Sequence, residues 1–376
     1  MNFLLTSGIF YPDIGGPSSY LRELIKYIIN TKKSKVCIIT FGDINKSYKI
    51  YLTKNIEVIK INRNRNKFIR FLITVFIIFI KFKKNTSLYA NGLFFEVGLI
   101  SIIKNKTFIS KIVGDYHWER FIRLGYTESS IKEFNKKKYI FIINLIRKIS
   151  FLKCKKIIVP SIYLKKVVIS WGLNKEFEVI NNFFTKLKHT NKKTDSKFDE
   201  ILKIKKNKKI VLTVSRLVKH KNIDFLIKSL NFNNYILIII GSGPEYCKIQ
   251  KLIKENKLED NIFLLGSLEK TEVYEAMTKS NIFLLHSSYE GFPHVVLEAM
   301  SNNIVCLVSN VGGNSELIKN NYNGYLTELF NIKDLNTKID LILSNNRLEI
   351  ILSNARLTLK RFDKEQLLKK TFNVLS

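Results

Sequence analysis

Residues 282–300, IFLLHSSYEGFPHVVLEAM, constrain the fold more than any other stretch. Ile282 to Leu285 is an unbroken apolar run, as a strand buried on both faces requires. Gly291 and Pro293 then break extended structure, and Pro293 to Met300 carries apolar residues at helical spacing. A buried strand, a short loop and a helix form half of a βαβ unit, so the spacing predicts a parallel sheet with helices on its faces. Glu290 falls in the loop at the sheet's carboxyl edge, and Glu298 lies about a turn and a half into the helix. The helix aims its unpaired N–H groups, with their partial positive charge, at the same place.

The same grammar recurs along the chain. The opening MNFLLTSG has no charged segment and soon meets Pro12 and Gly15-Gly16, so it reads as a first strand rather than a signal peptide. The loop FYPDIGGPSS leads to a helix from about Ser18 to Asn30 and a strand from Val36 to Thr40. Ile157 to Val159 is a strand meeting the helix cap Ser161. A second series begins with a strand at Ile210 to Val214, the loop SRLVKHKN, a helix at Ile223 to Leu230 and a strand at Tyr235 to Ile240 ending in GSGPE. The polar, lysine-rich run from Thr185 to Lys197 reads as a linker. A chain of 376 residues exceeds one ordinary core, and the pattern predicts two α/β domains, residues 1–185 and 198–363.

Charge is uneven. The formal net charge is +32, and residues 1–190 hold 35 basic and 11 acidic residues, or +24 of that total. A basic first half suits an anionic membrane surface or anionic acceptors, or is simply a solvated lysine-rich face. It also raises a nucleic-acid-binding reading, but no RNA- or DNA-binding motif with interleaved aromatics accompanies it. Phe71 to Ile80 is nearly all apolar between Arg70 and Lys81. A bilayer span needs about 20 residues, so this segment is either a buried helix of the α/β layer or a helix lying in a membrane interface. Residues 136–156 repeat the basic-apolar mixture. Cys37, Cys154, Cys247 and Cys306 form no pair motif, which fits a reducing, cytoplasmic setting.

Several residues could carry chemistry. Arg216 and Lys221, just past the strand at 210–214, could clamp a diphosphate and stabilise the charge that grows on it as a leaving group departs. Gly15 and Gly16 would let backbone N–H groups approach phosphates, or merely form a turn. Gly241, in GSG, and Gly312-Gly313, before Glu316, border the same kind of loop; neither completes a dinucleotide or P-loop fingerprint. In VGDYHWERF, a strand-end His117 near Asp115 and Glu119 could position an acceptor hydroxyl or share its proton, or belong to a structural polar cluster. No DxD pair or His/Cys ligand spacing points to a metal. Amides for an anion and carboxylates for hydroxyls suit a nucleotide sugar.

At this point the residues resemble glycosyltransferase family 4, the retaining GT-B enzymes. The resemblance rests on YPDIGG (11–16), KIVGDYHWER (111–120), KKIIVPSIYLKKVV (155–168), SRLVKHKN (215–222), GSGPE (241–245), EGFPHVVLEAM (290–300) and VSNVGGNSELI (308–318). It implies two Rossmann-like domains facing across a cleft, with a final helix from about Lys364 crossing back to the first. It further implies that Glu290 contacts the donor sugar, Glu298 the ribose, and Arg216 with Lys221 the diphosphate, assisted by Gly16, Gly291 and Phe292. The expected partners are a UDP- or GDP-sugar and a surface-glycan acceptor, possible peripheral membrane contact included, with no metal, no further cofactor and no nucleic acid. A sugar-nucleotide epimerase on a similar fold is the nearest rival and would need no acceptor. A non-catalytic membrane scaffold would leave both glutamates and the Arg–Lys pair unexplained.

Overall fold

The computed structural model describes the whole chain except residues 1, 14, 33, 44–47, 128–129, 139, 185–196, 205–207, 346–347 and 376, and the side chains of 48–53, 132 and 197. The linker read from the sequence, 185–197, thus lies almost entirely outside the described residues. The chain divides into two compact units: Met1–Trp118, Ser129–Asn182 and Glu365–Ser376 form the first, and Glu119–Glu128 with Phe183–Lys364 the second.

The first unit is built on eight strands: β1 (Asn2–Ser7), β2 (Lys35–Gly42), β3 (Tyr48–Thr53), β4 (Ile56–Asn62), β5 (Thr86–Asn91), β6 (Phe108–Lys111), β7 (Cys154–Val159) and β8 (Glu176–Val179). Their order is β3-β4-β2-β1-β5-β6-β7-β8. The parallel sheet read from the sequence is present with one exception, because β3 runs antiparallel to β4. Only Lys54 and Asn55 join those strands, too few for a crossover connection. Central β1 buries Phe3, Leu4 and Leu5 almost completely, which is why it reads as a continuous apolar run. Helix Lys364–Leu375 completes this core, with the Thr371 and Tyr20 hydroxyls 2.6 Å apart and Phe372 packed on Phe3 and Tyr27.

The second unit has a fully parallel six-stranded sheet: β9 (Lys209–Val214), β10 (Tyr235–Ile240), β11 (Ile262–Gly266), β12 (Ile282–Leu285), β13 (Val305–Ser309) and β14 (Tyr325–Thr327). The order is β11-β10-β9-β12-β13-β14. Every residue of β10 and β12 is buried. In each sheet the chain first grows one way and then restarts on the other side of its first strand. The reversal falls between β1 and β5 in one unit and between β9 and β12 in the other. Loops leaving the carboxyl ends of such strand pairs diverge and leave a crevice, the usual ligand position in open α/β sheets.

Candidate active site

The site is clearest at the β9/β12 reversal. Ile282 and Phe283 pair with Val211 and Leu212, so the loops after β9 and β12 leave the same edge side by side. After β9 the chain makes a 3₁₀ turn, Lys219–Lys221, and Asn222 adopts a left-handed conformation at φ +51°. The Asn222 amide donates to the His286 carbonyl at 2.9 Å, and the Ser288 N–H donates to the His220 carbonyl at 2.8 Å. These bonds stitch the loops together and bring the Lys221 ammonium onto a Glu290 carboxylate oxygen.

Glycine makes this closeness possible. A Cβ on Gly312 would stand 2.3 Å from the Glu290 carbonyl oxygen, and one on Gly313 2.4 Å from that of Gly291. The Gly313 N–H donates to the Glu290 carbonyl at 2.8 Å. Gly241, at φ +141°, and Gly243 play the same part against the β9 loop, where their Cβ atoms would meet the Ser215 and Leu217 carbonyls at 1.9 and 2.2 Å. The glycines therefore let four loops pack backbone to backbone. Gly241 acts on the loops around it and needs no ligand to account for it.

Around this pair the groups are graded by burial. Arg216 is exposed in the β9 loop. His220 is pushed down to about 3 by burial and by the neighbouring positive charges of Lys221 and Arg216, so its imidazole stays neutral at physiological pH. Glu298, in helix His294–Ser301, lies 3.4 Å from Lys270 and shares a hydrogen bond with Tyr274. Burial raises its pKa, and those two partners oppose the rise. Phe292 is buried and tilts against Phe362 at 5.5 Å.

Sequence reading missed Lys270, Tyr274 and His286. A signal existed for the first two. Glu269 and Glu272 form a capping box that starts helix Lys270–Lys279 just past β11, at the same edge of the sheet. His286 is buried and stacked on Phe225 at 4.9 Å, and its Nε2 accepts the Phe330 N–H at 3.2 Å. Burial lowers its pKa to about 4.

In the first unit, the loop after β1 carries Gly15 and Gly16. Gly16 opens helix Gly16–Lys32, and the Gly15 carbonyl accepts the Ser19 N–H at 3.0 Å. Gly92, after β5, comes so near that its Cβ would stand 2.8 Å from the Gly8 nitrogen. The structure corrects the reading of His117 as a strand-end residue. Strand β6 stops at Lys111, and His117 sits half-buried in the first turn of helix Tyr116–Arg123. Asp115 explains that helix start. Its Oδ1 accepts the His117 and Trp118 N–H groups at 3.1 and 3.2 Å and the Arg147 guanidinium at 2.5 Å. Asp115 is wholly buried, so it orients His117 and offers no accessible atom to a substrate. Arg147, also buried, stacks 4.0 Å over the Trp171 ring.

Comparison with known proteins decides the chemistry to consider. Residues 194–358 match the family described as glycosyl transferases group 1. The chain is 27% identical over 350 residues to the uncharacterized glycosyltransferase MJ1178 of Methanocaldococcus jannaschii, covering 91% of this chain and 88% of that protein. It is 30% identical over 160 residues to N-acetyl-alpha-D-glucosaminyl L-malate synthase of Bacillus anthracis, covering 42% of this chain and 41% of the enzyme. It is 32% identical over 146 residues to the Escherichia coli UDP-Gal:alpha-D-GlcNAc-diphosphoundecaprenol alpha-1,3-galactosyltransferase, 36% of each chain. This chain thus spans less than half the length of those two enzymes. Among solved structures it superposes on sucrose-phosphate synthase from Thermosynechococcus elongatus with a TM-score of 0.80 at 19% identity, covering 99% of this chain and 98% of that one. It superposes on Anabaena HepE in complex with UDP-glucose with a TM-score of 0.74 at 18% identity, covering 100% and 99%. The fold is GT-B.

Proposed function

We propose that the chain is a retaining, metal-independent group 1 glycosyltransferase that moves a sugar from a UDP- or GDP-sugar to a surface-glycan acceptor, lipid-linked in the simplest case. The observation that carries this reading is the Lys221–Glu290 pair at the β9/β12 reversal, with Arg216 in the adjoining loop. A cation on a carboxylate, with a second, exposed cation in the same β9 loop, suits a donor that is anionic at its diphosphate and hydroxyl-rich at its sugar. In this mechanism the anomeric C–O bond breaks and its electron pair passes to the diphosphate, where Arg216 and Lys221 stabilise the growing charge. Glu290 accepts from the sugar hydroxyls and Glu298 from the ribose. The acceptor oxygen bonds the anomeric carbon on the face just vacated, and its proton passes to the departing phosphate. The N-terminal amides of helix His294–Ser301 add fixed partial positive charge at the same sheet edge. His117 positions the acceptor hydroxyl. Support for a lipid-linked acceptor comes from the named acceptor of the Escherichia coli relative.

The test is a thermal-shift screen against UDP- and GDP-sugars, since a donor bound only by the folded state raises the melting temperature. Turnover with the stabilising donor follows, for wild type and Arg216→Ala. The expected loss is about 10²–10³-fold, as for other groups that stabilise developing charge. A stabilising donor that turns over equally well in the variant would remove the clamp from the mechanism.

A further inference from the structure

Three helices lie side by side on one face of the first unit's sheet: Lys67–Lys81, Phe94–Ile103 and Ile140–Phe151. Phe71 stacks on Phe95 at 5.8 Å between the first two, and Phe94 meets Phe151 at 5.3 Å between the second and third. The second and third approach so closely that a Cβ on Gly98 would stand 2.2 Å from the Ser150 carbonyl oxygen. A helix covering a sheet normally turns polar residues to water. These do the reverse. In Lys67–Lys81 the outward positions are Phe68, Ile69, Leu72, Phe76, Phe79 and Ile80, with Phe68 68% and Phe76 63% exposed. At 100° per residue all six fall on one side, opposite buried Thr74 and Ile78. The outer helix repeats the pattern, with Phe141 and Ile142 at 75% and 64% exposure and Leu145, Ile149 and Leu152 along the same stripe.

The charge beside this face is predominantly positive, with Glu57, which pairs with Lys81, and exposed Glu133 as acidic exceptions. Residues 134–175 hold 11 basic residues and no acidic one. Between Glu57 and Asp115 the only acidic residue is Glu96, which is largely buried and whose pKa burial raises, against 11 basic residues. Lys67, Lys83, Lys84, Lys136, Lys138 and Lys148 are exposed near the helix ends and along the outer helix. Among the described residues no helix is long and apolar enough to cross a membrane.

We propose that this three-helix face seats the protein on an anionic lipid bilayer, its phenylalanines and aliphatic residues entering the headgroup–acyl boundary and its lysines meeting lipid phosphates. Apolar area supplies insertion, and the excess of exposed lysines selects an anionic leaflet. A protein partner would fit the apolar stripe, but exposed lysines far outnumber the acidic groups beside it, Glu57 being taken up by Lys81, which leaves exposed Glu133, and this excess favours a polyanionic plane. The proposal stands without the enzymatic reading, because it concerns a face of the first unit and not the loops at the sheet edge.

The test is sedimentation of the full chain with vesicles of phosphatidylcholine alone or of equal parts phosphatidylcholine and phosphatidylglycerol. Binding is expected to the anionic vesicles, weakly to the neutral ones, and to fall steeply toward roughly 1 M salt, where charges are screened within about 3 Å. Phe68→Ser with Phe76→Ser, and separately Phe141→Ser with Ile142→Ser, should each lower partitioning by about tenfold or more. Lys83→Glu with Lys84→Glu should lower it specifically on anionic vesicles. All these side chains are exposed, so melting temperature and circular dichroism should match wild type and separate lost binding from lost fold. Absence of sedimentation with either vesicle overturns the proposal, as does equal affinity for both. Binding unmoved by both serine pairs overturns the role of the apolar face. A dimer in light scattering that the serine pairs dissolve, in a protein that ignores vesicles, assigns the face to a second copy instead.

Discussion

The two units share a sheet architecture and treat charge in opposite ways. The first unit takes ionisable groups into its interior: Asp115 and Arg147 form a pair shut away from water, and Lys111 is fully buried with its Nζ 3.3 Å from the centre of the Tyr20 ring and no hydrogen-bond partner among the described residues. The second holds two partly exposed pairs at the sheet's carboxyl edge, Lys221–Glu290 and Lys270–Glu298. A group shut inside is committed to the fold. A charge at an edge can exchange its neighbour for a ligand. The difference is why the proposed donor site falls at an edge.

The largest expected effect tests the interior half of that contrast. Arg147→Met leaves the Asp115 carboxylate buried and unpaired, and should cost about 3–5 kcal/mol in denaturant unfolding. Lys221→Met tests the edge half. Turnover with the stabilising donor should fall about 10²–10³-fold, with a smaller stability loss than Arg147→Met because Lys221 and Glu290 keep some contact with solvent. If the two substitutions destabilised equally, the contrast would fail. Lys111→Met replaces a buried, unpartnered amine whose pKa burial holds far below normal, and should raise stability by about 1–3 kcal/mol. The last test is pH-dependent. His220 and His286 titrate near 3 and 4 when folded, against 6.5 ordinarily, so below pH 6.5 the unfolded chain takes up protons that the folded form refuses. Stability should decline as pH falls from about 6.5 toward 4, and His286→Gln should flatten that decline in melting scans.

Much of this was legible in the sequence. Tyr235–Ile240 and Ile282–Leu285 stand where the apolar runs placed them, because a strand buried on both faces tolerates nothing else. Helix 71–80 was recognisable but begins at Lys67, since Asn66 caps it by accepting the Phe68 N–H at 2.9 Å and basic residues extend helices readily. His117 was misplaced because its helix starts on a side chain, Asp115, whose capping geometry no periodicity reveals. The Lys270–Glu298 contact joins residues 28 positions apart and depends on which strands become neighbours. Local spacing reports burial and helix phase; it does not report pairing between distant loops.

Helix Lys364–Leu375 carries a consequence for how the molecule is made. It fills the core of the first unit through Thr371 and Phe372, yet the ribosome produces it only after the entire second unit. Until then Phe3 and Tyr27 lack their aromatic partner and the Tyr20 hydroxyl lacks Thr371. This part of the N-terminal unit's core can therefore close only after the second unit has been made.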